Sequence, residues 1–218
     1  MFNTYGLLIS FEGIDGCGKS TQAGMLKDKL AENRFPSTLV REPGCTPAGE
    51  DIRQILLQNS YSLTTGAELL LYMAARAEVT EEIIFPSLRA GEVVICDRFT
   101  DSTLAYQGYG RGVDLHWIHL LNHQATGGRL PDITFLLDLS IENAAARRGE
   151  FIADRMEKNN RYYYERVRKG YLEIAAKEPQ RVIIIDASAD AENQGRLVWD
   201  YLREYLRHLT ESGNQDEF

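Results

Sequence analysis

The chain has 218 residues, of which 44% are hydrophobic and 26% charged, with a formal net charge of −8. That length suits one globular domain with a sizeable core, and the acidic balance argues against a nucleic-acid or anionic-membrane partner. No run approaches the ~20 apolar residues that span a bilayer, the first residues carry no basic n-region, and the three scattered cysteines (Cys17, Cys45, Cys96) suit a reducing compartment; a cytoplasmic protein is expected.

In chain order, the apolar run 7–12 reads as a buried strand, and a glycine-rich turn follows it. An amphipathic helix is expected from about Lys19, with Met25, Leu26 and Leu30 on its apolar side. A second strand is predicted over 37–41, ending at a Pro43-Gly44 break. Residues 68–88 form the longest helical pattern, followed by a strand over 92–97. Glycines between 108 and 112 and the pair Gly127-Gly128 mark loops. Strands over 133–138 and 181–186 flank a helix over 158–176. In the last helix Leu197, Tyr201, Tyr205 and Leu209 recur every four residues and mark one apolar face.

The strand runs lack in/out alternation, as expected of a parallel sheet covered on both faces by helices. These elements predict an α/β three-layer fold with a five-stranded parallel sheet. No internal repeat or linker divides it, so 1–210 reads as one domain and 211–218 as a polar tail that frays.

The turn after the first strand, Gly13-Ile14-Asp15-Gly16-Cys17-Gly18-Lys19-Ser20, matches G-x-x-x-x-G-K-[ST] at every fixed position. Its glycines let the backbone curl until the N–H groups point at an anion. The helix N-terminus adds its positive end. Lys19 is then placed for the β and γ phosphates, and the Ser20 hydroxyl for Mg²⁺. A strand–helix turn without ligand is the bland alternative, and the full match in the right context favours a nucleotide site formed by Gly13, Ile14, Asp15, Gly16, Cys17, Gly18, Lys19, Ser20 and Thr21. Asp15 would repel a phosphate unless it faces a metal, a hydroxyl or an arginine. A solvated loop aspartate is the plain alternative to a role facing a second substrate.

A phosphate-binding loop alone does not separate a GTPase, a motor and a small-molecule kinase. An Asn-Lys-x-Asp guanine signature is missing, and a motor would want a longer chain. Four arginines stand near strand ends or in the following helices: Arg41, Arg53, Arg76 and Arg98. Each taken singly could be a surface ion pair. Ligands of open α/β sheets bind outside the carboxyl ends of the strands, however, so Arg41 and Arg98 project towards the crevice that holds the loop. Guanidinium groups there suit a phosphorylated acceptor. A phosphomonoester is mostly a dianion at neutral pH and needs no general base. A bare hydroxyl acceptor would want a carboxylate, for which Asp97 or Asp15 could serve.

Several stretches together resemble bacterial thymidylate kinases, within the P-loop nucleoside monophosphate kinases, over nearly the whole chain. They are Phe11-Glu12-Gly13 through Thr21-Gln22, Arg41-Glu42-Pro43-Gly44-Cys45-Thr46, Tyr72-Met73-Ala74-Ala75-Arg76, Asp97-Arg98-Phe99 and Ser102-Thr103-Leu104-Ala105-Tyr106-Gln107-Gly108. The resemblance implies transfer of the γ-phosphate of ATP to dTMP, giving dTDP and ADP, with Mg²⁺ and as a homodimer formed through the 68–88 helix and its neighbours. It implies that Arg53 and Arg98 grip the acceptor phosphate and that Tyr72 stacks on the base where relatives usually have Phe. Arg76 and Gln107 would lie around the thymine ring with Ser102 and Thr103 close by, and Asp15 would face the acceptor. Asp97 would join Ser20 at the metal, and the loop 186–190 would pack on adenine. Cys45 replaces a usual glycine, and would be strained if the position needs positive φ. Some relatives carry an arginine at the position of Gly16; lacking it, this chain would draw a catalytic cation from a lid over about 143–157, from among Arg147, Arg148 and Arg155. Another nucleotide or nucleoside kinase with a shifted acceptor, or a non-catalytic nucleotide-binding regulator, are the alternatives.

Overall fold

The structure, a computed structural model, describes residues 6–58, 62–149 and 155–212. Five strands form one parallel sheet: β1 (Leu7–Glu12), β2 (Ser37–Arg41), β3 (Val93–Asp97), β4 (Ile133–Asp138) and β5 (Val182–Asp186), in the order β2-β3-β1-β4-β5. β1 is wholly buried, and it is apolar on both faces because helices cover both. Leu7, Ile9 and Phe11 join the larger core, with Phe11 and Phe135 rings 5.4 Å apart. Leu8 points the other way, into a smaller cluster with Val40, Val79, Val94 and Phe99. The edge strands β2 and β5 are only partly buried, so the sheet interior carries most of the cohesion.

The helices are α1 (Lys19–Glu32), α2 (Pro47–Leu57), α3 (Thr65–Val79), α4 (Phe85–Arg89), α5 (Thr100–Thr103), α6 (Leu115–Ala125), α7 (Ile141–Arg148), α8 (Arg155–Lys177) and α9 (Ala191–Ser212). Local sequence fixes several starts. Thr46 Oγ1 accepts the Gly49 N–H at 2.9 Å with Pro47 in the first turn of α2, and Ser140 caps α7 through the Asn143 N–H.

Three expectations change. The 68–88 pattern is α3 and α4 joined through a π-helical turn over Thr80–Ile84, and among the described residues α8, at 23 residues, is longer than α3. The glycines at 108 and 110 lie inside a second π-helical segment, Leu104–Gly110, rather than a loop. They serve packing: a Cβ on Gly110 would sit 2.6 Å from the Tyr163 ring of α8. In α9 the buried pair is Val198 and Leu202, whereas Leu197 is 53% exposed. A four-residue spacing drifts round a helix of 3.6 residues per turn, so Leu197 leaves the face on which Tyr201 and Tyr205 still touch the core.

Candidate active site

β1 and β3 run side by side with Phe11 opposite Asp97, so the turn after β1 and the residues after β3 emerge together at the carboxyl edge. Between them lies a crevice of about 370 Å³ lined by Asp15, Gly16, Gly18, Lys19, Ser20 and Thr21 from one side and by Arg41, Glu42, Arg53, Asp97 and Arg98 from the other, with Arg147 above. Its size falls in the range of small-molecule sites.

The loop over Gly13 to Ser20 curls as its glycines allow, with φ positive at Gly13, Gly16 and Gly18. Lys19 opens α1, is buried, and donates from Nζ to the Gly13 and Ile14 carbonyls at 3.1 and 2.9 Å. Burial and then the neighbouring Arg98 charge hold its ammonium below the usual lysine range. Arg98 Nη1 also donates to Gly13 O, Arg147 Nη1 to Cys17 O, and Arg148 Nη1 to Asp15 O at 2.5 Å. Four cations therefore hold the loop by its carbonyls, which leaves N–H groups for an anion. Ser20 Oγ donates to Asp97 Oδ2 at 2.5 Å. A hydroxyl and a carboxylate side by side are hard oxygen donors that suit Mg²⁺, whose remaining positions phosphate and water can fill.

Gly16 shows why α7 comes so near. A Cβ there would meet the Ala144 carbonyl oxygen of α7 at 2.6 Å and Arg148 Cγ at 3.2 Å. No larger side chain fits while α7 occupies that place. Arg148 also lies over the Tyr164 ring, 5.1 Å from its centroid, and Arg147 Nη2 donates to Ala187 O at 2.7 Å. Both arginines thus reach the loop from α7. Glu150 to Asp154 of the expected lid, and the side chain of Arg155, lie outside the described residues. In the 186–190 loop, Gln194 Nε2 donates to Ala189 O at 2.6 Å and to Ala187 O at 3.3 Å, pinning that turn to α9.

The other wall is made of side chains. Arg98 sits at φ 74, in the left-handed region. Its guanidinium pairs with Asp15 Oδ1 and stands 5.0 Å from the Tyr106 ring centroid, while Nη1 donates to Ser102 Oγ at 3.1 Å. Asp15 accepts from the Tyr106 and Tyr164 hydroxyls as well, at 3.0 and 3.3 Å. Burial alone would raise its pKa, but the Arg98 and Lys19 charges and these hydrogen bonds outweigh it and keep the carboxyl below its usual range. Arg53 reaches in from α2 and donates to Pro43 O at 2.9 Å, and Tyr72 lies half-buried on α3. Gln107 Nε2 donates to Glu68 at 2.8 Å.

Arg76 is anchored within the protein. It is 2% exposed and gives every N–H to protein: Nε and Nη2 to Glu42, Nη1 to Thr103 and Asn122, and Nη2 also to Phe99 O. Thr103 is the acceptor in that network, so both residues here brace β2, α3, α5 and α6 beneath the crevice. Cys45 has φ 72, so a cysteine occupies a left-handed position where glycine would rest without strain.

Comparison with known proteins decides the family. The thymidylate kinase family model matches residues 11–196. The chain belongs to the thymidylate kinase family. It is 43% identical over 209 residues to a curated thymidylate kinase of Kosmotoga olearia, covering 95% of this chain and 99% of that one. A thymidylate kinase of Pelotomaculum thermopropionicum is 50% identical over 186 residues, covering 84% and 86%. The crystal structure of thymidylate kinase from Ehrlichia chaffeensis superposes with a TM-score of 0.75 at 38% identity, covering 91% of this chain and 99% of that chain. The α/β P-loop architecture is thus shared with a solved thymidylate kinase.

Sequence motifs do not single out Glu12, Glu42, Tyr164 and Tyr171, which hold the site's arginines or bond to their partners. Glu12 carried a signal: a lone carboxylate ending an apolar strand has to find buried donors. The run Tyr162-Tyr163-Tyr164 carried less, since only the fold turns one of its hydroxyls towards Asp15.

Proposed function

We propose that this chain is an ATP-dependent nucleoside monophosphate kinase that transfers the γ-phosphate of ATP to dTMP, giving dTDP and ADP. The observation that carries the reading is the Arg98–Asp15 pair, which joins the end of β3 to the phosphate loop inside one crevice. A guanidinium in that place supports an acceptor that is already anionic. In this reading the loop N–H groups and Lys19 hold the β and γ phosphates, and Arg53 and Arg98 hold the acceptor phosphate in line with them. The acceptor oxygen is mostly ionised at neutral pH, so positioning and charge neutralisation suffice and no general base acts. Asp15, partly released from Arg98 when a phosphate arrives, turns to the acceptor's sugar. Tyr72 stacks on the base, with Gln107 and Ser102 near it, and Arg76 with Thr103 supports that wall from below.

Ser20 and Asp97 would hold Mg²⁺, which would shield the phosphate charges. Arg148, with Arg147, supplies the cation over the transferring phosphoryl group from a lid of about 143–157, and the closeness of α7 to Gly16 favours that source. The domain is 1–210, and the protein acts in the cytoplasm as a homodimer. The exposed Leu70 on α3 and Trp117 and Leu120 on α6, two helices packed together, support such an interface.

The test is ADP release from ATP and Mg²⁺ with each nucleoside monophosphate in turn. A strong preference for dTMP that Arg98→Ala removes is the expected result. Binding of ATP without ADP release on any monophosphate would sink the reading and point to another acceptor or a regulator.

A further inference from the structure

Glu12 is a fully buried carboxylate at the carboxyl end of β1, next to the phosphate loop but outside it. Its Oε1 accepts the Phe99 N–H at 2.7 Å. Its Oε2 accepts from Ser102 Oγ at 2.6 Å and from the Tyr171 hydroxyl of α8 at 3.1 Å. These partners immediately surround Arg98, which has to keep a left-handed backbone while its side chain reaches into the crevice. Proton counting shows what the carboxylate does. Ser102 owns one hydroxyl proton, and giving it to Glu12 leaves the Ser102 lone pairs for Arg98 Nη1. The peptide after Arg98 and the hydroxyl beneath its guanidinium are therefore both held by one side chain.

We infer that Glu12 is a positioning residue for acceptor binding: it clamps the Phe99 peptide and orients Ser102 so that Arg98 is held ready for the acceptor phosphate. The inference rests on the proposed role of Arg98, and it extends that role to a buried residue of β1 outside the crevice lining. Tyr171 ties the same carboxylate to α8, the helix that also brings Tyr164 to Asp15.

The charge around Glu12 supports a graded device. Burial, then the Asp101 carboxylate of α5, push its pKa up to about 7, against the Ser102 hydrogen bond, the Arg98 charge and the Phe99 N–H. Asp101 is itself paired with Arg181, at 2.8 Å, and Tyr171 faces Glu12 as a neutral hydroxyl. Below about pH 7 a protonated Glu12 can donate to Ser102 and turn its hydroxyl proton towards Arg98, which disfavours the guanidinium contact.

The experiment compares wild type, Glu12→Gln, Ser102→Ala and Arg98→Ala for KM of dTMP, KM of ATP and kcat between pH 6 and 9, with unfolding midpoints in parallel. Glutamine keeps an acceptor for Phe99 but presents an amide donor to Ser102. The expected result is a roughly tenfold rise in KM for dTMP in Glu12→Gln at pH 8, with KM for ATP unchanged. The wild-type rise in dTMP KM below pH 7 should shrink in the variant to the part due to the phosphate's own titration. Stability should move the other way. A carboxyl whose folded pKa lies above its unfolded value costs stability progressively from about pH 4.5 to about 7. Removing that charge should keep or raise the midpoint at pH 8.

A lowered midpoint with an unchanged KM for dTMP would make Glu12 merely structural and overturn the inference. An unchanged KM in Ser102→Ala would also overturn it, and that variant decides the matter if Glu12→Gln fails to fold. If Arg98→Ala leaves the KM for dTMP unaltered, the proposed role of Arg98 itself falls; a raised KM in Arg98→Ala beside a wild-type KM in Glu12→Gln removes only the role of Glu12.

Discussion

The two walls of the crevice are built in different ways. On the phosphate-loop side, eight consecutive residues do the work through backbone, and the positive φ values at Gly13, Gly16 and Gly18 set the shape. On the other side, Arg53, Tyr72, Arg98 and Gln107 come from four separate segments; Arg53 is held by Pro43 O, Gln107 by the Glu68 carboxylate and Arg98 by Ser102 and Asp15. A backbone site is determined locally and tolerates changes in its surroundings. A side-chain site inherits the precision of everything packed beneath it, which is why Arg76 is buried and fully bonded there.

Substitutions can break this contrast. The largest loss is expected for Lys19→Ala, with kcat down by about 10³-fold or more and the Kd for dTMP within about threefold of wild type, by calorimetry without ATP. A matching collapse of dTMP binding would mean the two walls are not separable. Arg98→Ala should lower kcat/KM for dTMP by about 10²-fold while ATP affinity holds, read by steady-state kinetics and nucleotide displacement. Arg148→Ala should lower kcat by roughly 10²-fold with both KM values unchanged, and a larger effect from Arg147→Ala would transfer the cationic role to that residue.

Smaller changes sharpen the comparison. Gly16→Ala brings a methyl against the Ala144 carbonyl and should shift α7, cutting kcat several-fold, about 1 kcal/mol, with less effect on dTMP binding. Cys45→Gly relieves a left-handed cysteine and should add about 1 kcal/mol in urea unfolding, offset in part by the lost Sγ contact to the Arg41 N–H. No gain in stability would show that the turn around Cys45 relaxes without cost.

The same contrast explains how much could be read beforehand. All five strands lie within a residue of where the apolar runs put them; the three central ones, buried on both faces, leave few other readings. The glycine-rich loop was legible for a similar reason: its spacing is its geometry. The end of β3 points to Arg98 and the family resemblance to Arg53 as well, and the structure brings both to the crevice. Their supports were not legible. Glu12 meets Ser102 across 90 residues and Tyr171 across 159, pairings that only the completed sheet and α8 create. The resemblance puts Arg76 by the thymine ring, but its bonds to Glu42, Thr103 and Asn122, 34, 27 and 46 residues away, are made only by the completed fold. Gly108 and Gly110 read as loop markers because glycine weakens helices, but close approach to α6 at Gly108 and to α8 at Gly110 is what they supply.

Arg98 carries its guanidinium into the crevice on a backbone that L-residues avoid, at a cost of roughly 1–2 kcal/mol. Arg98→Gly would relieve that backbone but forfeit the Asp15 pair and the Ser102 contact, so its effect on folding should be far smaller than its effect on dTDP formation. Pooled sorting on folding and on dTDP formation should disagree most sharply at this codon.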